Sequence, residues 1–293
     1  RSGLVLLALA GVAAAYYEYA VDLSQASTYS QFSCVRSSGY STVFLRAYKP
    51  DSNGMYDSAV SGNVNNAYNA GLGIEVYMTP VPTTSKSGAT QVDETLNGLV
   101  KNGVSVRAIW IQVTSPINWN RDVKSNINFI NSAVAQLRYR GVRAGIYTNS
   151  YDWNQITGGY TSVGSDVYLW YWSVNGQGAA GETRTDMTDF TPFGGWNFAD
   201  VKQYGQYESV CSITLNKDIY PANSVKSPLR VQAEAAAKTE GKPVVGLLML
   251  DLPHQAPSKL KTPEANNTLL KKLIEARQAV VVEEKAKEMG VKM

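Results

Sequence analysis

Alternation of apolar and polar residues dominates the first 220 residues, in short runs separated by longer segments with helical spacing. One run places Trp110, Gln112 and Thr114 on one face and Ile109 and Ile111 on the other, which is the two-residue period of a β-strand. Because the next residues are a turn-forming Ser-Pro pair, the polar end of this strand should open onto a loop. In an α/β barrel, ligands bind at that end of the strands.

Eight strands and five helices are predicted in alternation, as in a chain of βαβ units. The helices become sparse after the fifth strand, so we expect a TIM-like (β/α) barrel whose last third is irregular. The predicted strands are 19–23, 42–47, 74–78, 107–114, 142–148, 166–172, 201–204 and 213–216, and the predicted helices are 26–37, 59–70, 88–102, 123–140 and 151–156.

Composition divides the chain near residue 223. Every aromatic residue precedes that point, whereas residues 224–293 are rich in Ala, Lys and Glu and carry twelve basic against eight acidic side chains. We therefore predict a barrel domain over 16–223 and an unrelated extension over 224–293, with helical patterns at 230–240 and 269–289. The absence of aromatics makes an independently stable domain in the extension doubtful.

The start of the sequence is typical of a secretory signal peptide. Arg1 precedes a short apolar run at 4–12, and small residues lead to a predicted cleavage after Ala15. A buried N-terminal helix is the alternative. Secretion would place Cys34 and Cys211 in an oxidising compartment, where one disulfide is expected.

Several functional classes are excluded by residue content. The single histidine, His254, lies in the extension, so a Ser-His-Asp triad is not expected in the barrel and a zinc site is very unlikely. No glycine-rich phosphate loop precedes a helix, and the basic residues of the extension are interspersed with Glu. We expect no cofactor, no nucleic-acid partner, no membrane span after signal cleavage, and a monomer.

The segment YAVDLSQ at 19–25 resembles the opening strand of glycoside hydrolase family 25, and the chain is similar to the nematode lysozyme-like group of that family. Further matching segments follow in the family's order, and the resemblance covers about 16–220. They are GIEVY at 73–77, IWIQVT at 109–114, GIYT at 145–148, LWY at 169–171, FGGW at 193–196, KQY at 202–204 and LN at 215–216.

The resemblance implies cleavage of the β-1,4 bond between N-acetylmuramic acid and N-acetylglucosamine in bacterial peptidoglycan, used in antibacterial defence or in digestion of bacteria. It also implies acids on the first strand, in an Asp-x-Glu pair ending the fourth strand, and near the last strand. Asp22 matches the first, but Gln112, Thr114 and Thr214 occupy the other positions. Glu75 stands where relatives often carry an acid on the third strand.

Glycoside hydrolysis needs a proton donor and a second carboxylate. Neither Gln112 nor Thr114 can donate that proton, so the remaining catalytic candidates are Asp22 and Glu75, both expected to point into the barrel mouth. Asp22 could instead be a buried structural acid or bind sugar without turnover, and Glu75 could form hydrogen bonds inside the barrel. The candidate sugar-binding residues are Gln112, Thr114, Tyr147, Trp172, Gln203 and Thr214.

Aromatic residues add a second set of expectations, because sugar rings stack on aromatic side chains. Trp110 and Trp170 should lie in the core, whereas Trp119 and Trp153 are candidates for the rim of the binding face. Three interpretations remain open: a secreted lysozyme-like protein acting on bacterial cell wall, a glycan-binding protein that has lost turnover, and a secreted protein with no glycan role.

Overall fold

The computed structural model describes residues 17–222 and 226–252. The strands are β1 (Tyr17–Leu23), β2 (Tyr40–Lys49), β3 (Met55–Tyr56), β4 (Gly73–Met78), β5 (Ser105–Val106), β6 (Ala108–Gln112), β7 (Arg143–Thr148), β8 (Tyr168–Trp172), β9 (Val201–Val210), β10 (Ile213–Pro221) and β11 (Val244–Val245). The helices are α1 (Tyr29–Ser37), α2 (Ala59–Asn69), α3 (Gly88–Lys101), α4 (Val123–Tyr139), α5 (Ser150–Thr157), α6 (Pro228–Glu240) and α7 (Leu248–Asp251).

Eight strands close into a barrel in the order β1, β2, β4, β6, β7, β8, β9, β10, and β10 pairs back onto β1. The first seven pair in parallel, while β10 runs antiparallel to both of its neighbours. The predicted TIM-like barrel with an irregular last third is therefore confirmed. The irregularity has a local cause: Cys211 and Ser212 both have positive φ and turn the chain directly from β9 into β10, with no intervening helix.

Strand alternation divides the apolar side chains between two clusters. Outward-facing residues such as Ile109 and Ile111 pack beneath the helices. Inward-facing residues, among them Trp110 and Trp170, fill the barrel, and their rings meet edge to face at 5.9 Å between centroids. Both tryptophans are fully buried, as the sequence predicts. The interior is thus a packed core below an open upper end.

Hydrogen-bonding caps fix where the principal helices begin. The Ser87 hydroxyl accepts from the Thr90 backbone at the start of α3, and the Asp122 carboxylate accepts from two backbone N–H groups at the start of α4. The Asn149 side chain caps the start of α5 by accepting a hydrogen bond from the Asp152 backbone N–H. The start of α5 matters most for the site, because it sets where the side chain of Asp152 lies.

Residues 226–252 pack against the amino-terminal end of the barrel strands. Strand β11 pairs with β5, and Leu248, Met249 and Leu252 are buried with the interior cluster. Helix α6 agrees with the pattern at 230–240. Within residues 17–222 and 226–252, no helix has the length and apolar character needed to cross a membrane. The predicted signal peptide and the predicted helix at 269–289 lie outside the described residues.

The expected disulfide is present. Cys34 in α1 is bonded to Cys211 in the turn between β9 and β10, with the two Cα atoms 5.9 Å apart. The bond spans 177 residues and therefore ties the first helix to the last hairpin of the barrel.

Candidate functional site

A cleft of about 510 Å³ opens at the carboxyl-terminal ends of the barrel strands. This is the end at which barrel enzymes bind their ligands. Six of the residues singled out in the sequence line it: Asp22, Gln112, Thr114, Tyr147, Trp172 and Thr214. Strand alternation brings them together, since each lies at an inward-facing position or directly after its strand.

Asp22 lies at the floor of the cleft and is held by two amide side chains. Gln203 donates from Nε2 to Oδ2 at 2.6 Å, and Asn216 donates from Nδ2 to Oδ1 at 2.9 Å. Burial raises the pKa of Asp22, although these hydrogen bonds oppose the shift. The carboxyl group is thus fixed in position by its neighbours, with little surface open to the cleft.

A second carboxyl group, Asp218 on β10, lies in the barrel interior beside Asp22. Its Oδ1 accepts a hydrogen bond from Trp170 Nε1 at 2.9 Å, and the carboxyl also contacts Asp22. Burial, followed by the negative charge of Asp22, raises the pKa of Asp218 well above its ordinary value. Ionising both of these adjacent buried carboxyl groups is unfavourable, which is why the charge of Asp22 adds to the effect of burial on the pKa of Asp218.

Gln112 and Thr114 occupy the two positions at which the family resemblance implies an acid pair. The Thr79 hydroxyl donates to Gln112 Oε1 at 2.6 Å, and Gln112 Nε2 donates to Thr114 Oγ1 at 2.9 Å. This chain of hydrogen bonds contains only neutral groups. It holds both side chains at the cleft surface and supplies no proton for glycosidic bond cleavage.

Gln203 differs in placement from the other binding candidates, because it is fully buried and does not line the cleft. It donates to Asp22 and accepts from the Tyr147 hydroxyl at 2.9 Å. Tyr147 in turn stacks on Trp170, with ring centroids 4.1 Å apart. Gln203 therefore positions Asp22 and Tyr147 from below and does not reach a ligand itself.

Glu75 does not point into the barrel mouth, contrary to the expectation from sequence. It lies near the amino-terminal end of β4, where Oε2 accepts from Trp110 Nε1 at 3.0 Å and Oε1 accepts from the Leu248 backbone at 2.8 Å. Tyr77, two residues later on the same strand face, lines the cleft instead. Glu75 thus anchors residues 226–252 to the barrel, which no local pattern in β4 could reveal.

We predict that Glu75→Gln makes the free energy of unfolding less dependent on pH and leaves glycan binding unchanged. Burial raises the pKa of Glu75 to about 7, from an ordinary value of 4.5. An acid with a raised folded-state pKa stabilises the fold fully below its unfolded pKa, and that contribution is lost as the pH rises through the folded pKa. As the pH rises from 4.5 to about 7, the wild-type protein should lose about 3 kcal/mol of its free energy of unfolding through Glu75, and the variant should not show this loss.

Urea unfolding at a series of pH values measures this effect. Glu240→Gln removes an exposed carboxylate from α6 and serves as the matched control. The slope that remains in the variant belongs to the other buried acids with raised pKa values, Asp22, Asp152, Asp200 and Asp218. An unchanged pH profile combined with loss of glycan binding would place Glu75 in the binding machinery.

Asp152 is a cleft residue that sequence reasoning missed. It lies in the first turn of α5, lines the cleft, and accepts from Trp172 Nε1 at Oδ2, 3.2 Å away. Burial raises its pKa, while hydrogen bonds from Trp172 and the Ser115 backbone oppose the shift. Its position directly after the fifth predicted strand could have marked it, because such loops line barrel sites.

Asp218 shares the inward-facing parity of Thr214 and could have been found from the period of the strand.

A second groove of about 390 Å³ shares Gln112, Thr114 and Ser115 with the cleft. Trp119 lines this groove and donates from Nε1 to the Thr114 carbonyl at 3.0 Å, so it lies beside the site as expected. Trp153 does not, because it is 1% exposed and packs against Trp196. The rim assignment of Trp153 is therefore wrong: its helix turns the ring inward.

Comparisons with known proteins agree with this architecture. A family model described as Lysozyme-like protein 1 matches residues 13–204. Lysozyme-like protein 7 of Caenorhabditis elegans is 51% identical over 211 residues, which cover 72% of this chain and 75% of that protein. Probable GH family 25 lysozyme 2 of Dictyostelium discoideum is 35% identical over 202 residues, covering 69% of this chain and 90% of that protein.

Two solved structures are similar in fold. A muramidase from Trichobolus zukalii has a TM-score of 0.56 and 19% identity, covering 77% of this chain and all of that one. A bacterial lysozyme from Streptomyces coelicolor has a TM-score of 0.55 and 20% identity, covering 80% of this chain and 96% of that one. At this identity they support the barrel fold alone. The family match and the sequence relatives carry the assignment further: the chain belongs to the lysozyme-like proteins of glycoside hydrolase family 25.

Proposed function

We propose that the protein is a secreted binder of bacterial peptidoglycan whose barrel cleft holds a glycan strand without efficient hydrolysis. The observation that carries this proposal is the neutral hydrogen-bonded pair Gln112 and Thr114 at the positions of the family's acid pair. Membership of the lysozyme-like family supports peptidoglycan as the ligand.

The chemistry of the reaction supports a binding role. Hydrolysis requires protonation of the leaving oxygen and a second carboxylate on the opposite side of the bond. Asp22 is the one retained acid of the family pattern, and its oxygens are already engaged by Gln203 and Asn216. With Gln112 and Thr114 at the family's acid positions, Asp22 can accept sugar hydroxyl hydrogen bonds, but the acid pair of the family's two-acid mechanism is missing.

The composition of the cleft suits a carbohydrate. Amide and hydroxyl groups of Gln112, Thr114 and Thr214 can pair with sugar hydroxyls, and the partly exposed ring of Trp172 can stack on a pyranose face. The second groove continues past Gln112 and Thr114, so the two together offer an elongated surface for several sugar units.

Secretion is part of the same proposal. The apolar run at 4–12 followed by Ala13–Ala15 supports export, and the disulfide between Cys34 and Cys211 suits an oxidising compartment. Outside the cell, a binder of this kind would meet bacterial cell wall in defence or in digestion.

The test compares retention and turnover on insoluble peptidoglycan. Purified protein should sediment with the wall material and release no soluble reducing ends, and Trp172→Ala should weaken retention about tenfold through loss of stacking. Tyr139→Ala removes an exposed aromatic side chain from α4 and is the matched control. Thr214→Arg is a second variant for the case in which Trp172→Ala unfolds. Because Thr214 is exposed, the larger side chain should fill the cleft and weaken retention without disturbing the core.

Two results would overturn the proposal. Clear lysis by the wild-type protein, abolished in Asp22→Asn or Asp152→Asn, would show that the cleft is catalytic. Absence of both lysis and retention would remove the glycan role altogether.

A further inference from the structure

The wall of the cleft formed by Asp152 and Trp172 has a feature that neutral sugar recognition does not explain. Asp152 is only 4% exposed, yet it lines the cleft, and its nearest hydrogen-bond donors are the neutral indole of Trp172 and the backbone of Ser115. A carboxylate removed from water in this way is unfavourable unless a counter-charge is supplied.

The described protein does not supply that charge. The other aspartates with little exposure differ in their partners: Asp57 and Asp251 are each paired with an arginine, at 2.9 Å and 2.6 Å, whereas Asp22 accepts from two amide side chains. Asp152 has no ion pair in the part of the chain that the structure describes. Its cleft is lined by acids at Asp22 and Asp152 and by no Lys, Arg or His among those residues.

We propose that Asp152 binds a primary ammonium group of the ligand, so that the cleft prefers peptidoglycan carrying free amino groups over its fully N-acetylated form. This inference rests on the proposed glycan-binding function and names the chemistry that the cleft selects. Asp152 is then a specificity-determining residue on the wall of the cleft, separate from the floor at Asp22.

The chemistry of an ammonium group matches this wall. Such a group offers three donors and a full positive charge, which compensates a partly desolvated carboxylate better than a neutral acetamide does. The indole of Trp172, held beside Asp152 by its own hydrogen bond, presents an aromatic ring that attracts cations. Asp22 is less available, because Gln203, Asn216 and Asp218 already occupy it.

Peptidoglycan can provide this ammonium group from two sources: a glucosamine unit that has lost its acetyl group, or the free amine of a stem peptide. Both are the same chemical class at the carboxylate. The test therefore uses a glucosamine tetramer, an N-acetylglucosamine tetramer, and an acetylated muropeptide with its stem-peptide lysine amine either free or blocked.

Calorimetric titration at about pH 6, where aliphatic amines are protonated, measures the four affinities. The wild-type protein should bind a ligand with a free amine about tenfold more tightly than its blocked counterpart. Asp152→Asn keeps the size of the side chain and an acceptor for Trp172, so it should remove the preference: ligands with free and with blocked amines should bind this variant with affinities within about twofold of each other. Glu240→Gln removes a distant exposed charge and controls for non-specific attraction of cations.

The outcomes distinguish a failure of ammonium selection by Asp152 from a failure of the proposed glycan-binding function. If every ligand binds equally well, or if the preference survives Asp152→Asn, Asp152 does not select an ammonium group although the cleft still binds glycan. If no ligand binds, the proposed function fails first. A preference confined to the tetramers assigns the amine to the sugar, and one confined to the muropeptides assigns it to the stem peptide.

Discussion

The double variant Gln112→Asp/Thr114→Glu is expected to hydrolyse peptidoglycan at least about a hundredfold faster than the wild-type protein. Positions 112 and 114 lie on the same face and line the cleft, so both new carboxyl groups should face the ligand. A positioned general acid contributes about 10²–10⁴ in rate, which is the contribution that the wild-type residues cannot make. Release of reducing ends from insoluble peptidoglycan measures the gain.

Local contacts favour this restoration. The Thr79 hydroxyl, which now donates to the Gln112 carbonyl, supplies a neutral donor beside position 112 for the shorter carboxylate of an Asp. Asp22 is already held at the floor by Gln203 and Asn216 and needs no rearrangement. Adding Thr214→Asp would restore the third missing acid of the family pattern and should increase the rate further.

The matched control is Gln112→Asn/Thr114→Ser, which alters both side chains but introduces no acid, and it should remain inactive. Thermal unfolding and glycan retention verify that each variant is folded and still binds. If the acid-restored protein binds glycan and yet releases nothing, the cleft has departed from the family's catalytic geometry in more than these side chains.

The same positions show why a sequence can predict a barrel more readily than a site. Alternation in β6 fixed the face on which Trp110 and Gln112 lie, because a one-residue change of register would expose the core. Glu75 has the same parity, but it lies one inward position below Tyr77, and its backbone donor Leu248 is 173 residues away. The two-residue period of a strand determines which face a side chain is on. The residues that contact an inward-facing side chain come from segments distant in the sequence, so the period does not predict them.

The contacts of the buried acids are harder to predict from sequence than the strands are. Asp218 has correct inward parity, but its pairing with Asp22 follows from the antiparallel course of β10, which the predicted βαβ alternation did not contain. Asp152 lies in a helix whose start is fixed by the Asn149 cap, and its contact with Trp172 joins two different βα units. Sequence pattern alone therefore identified one acid of the cleft, Asp22, and missed the other.

Removing the disulfide with Cys34→Ser/Cys211→Ser is expected to lower the free energy of unfolding by about 5 kcal/mol. The bond closes a loop of 177 residues, and a loop of that length greatly restricts the unfolded chain. Urea unfolding of the oxidised wild-type protein, the reduced wild-type protein and the double variant measures the loss. The reduced protein should match the variant, and reductant should leave the variant unchanged.

Glycan binding distinguishes an effect on the unfolded chain from one on the native site. The hairpin that Cys211 anchors carries Thr214 and Asn216, so a loosened hairpin would weaken both the cleft and the hold on Asp22. The native hairpin is also held by its ladder with β1 and by Ile213 and Leu215 in the core, and these contacts do not need the disulfide. Affinity well below the unfolding transition should therefore be unchanged in the variant, and a large loss of affinity there would mean that the bond shapes the cleft directly.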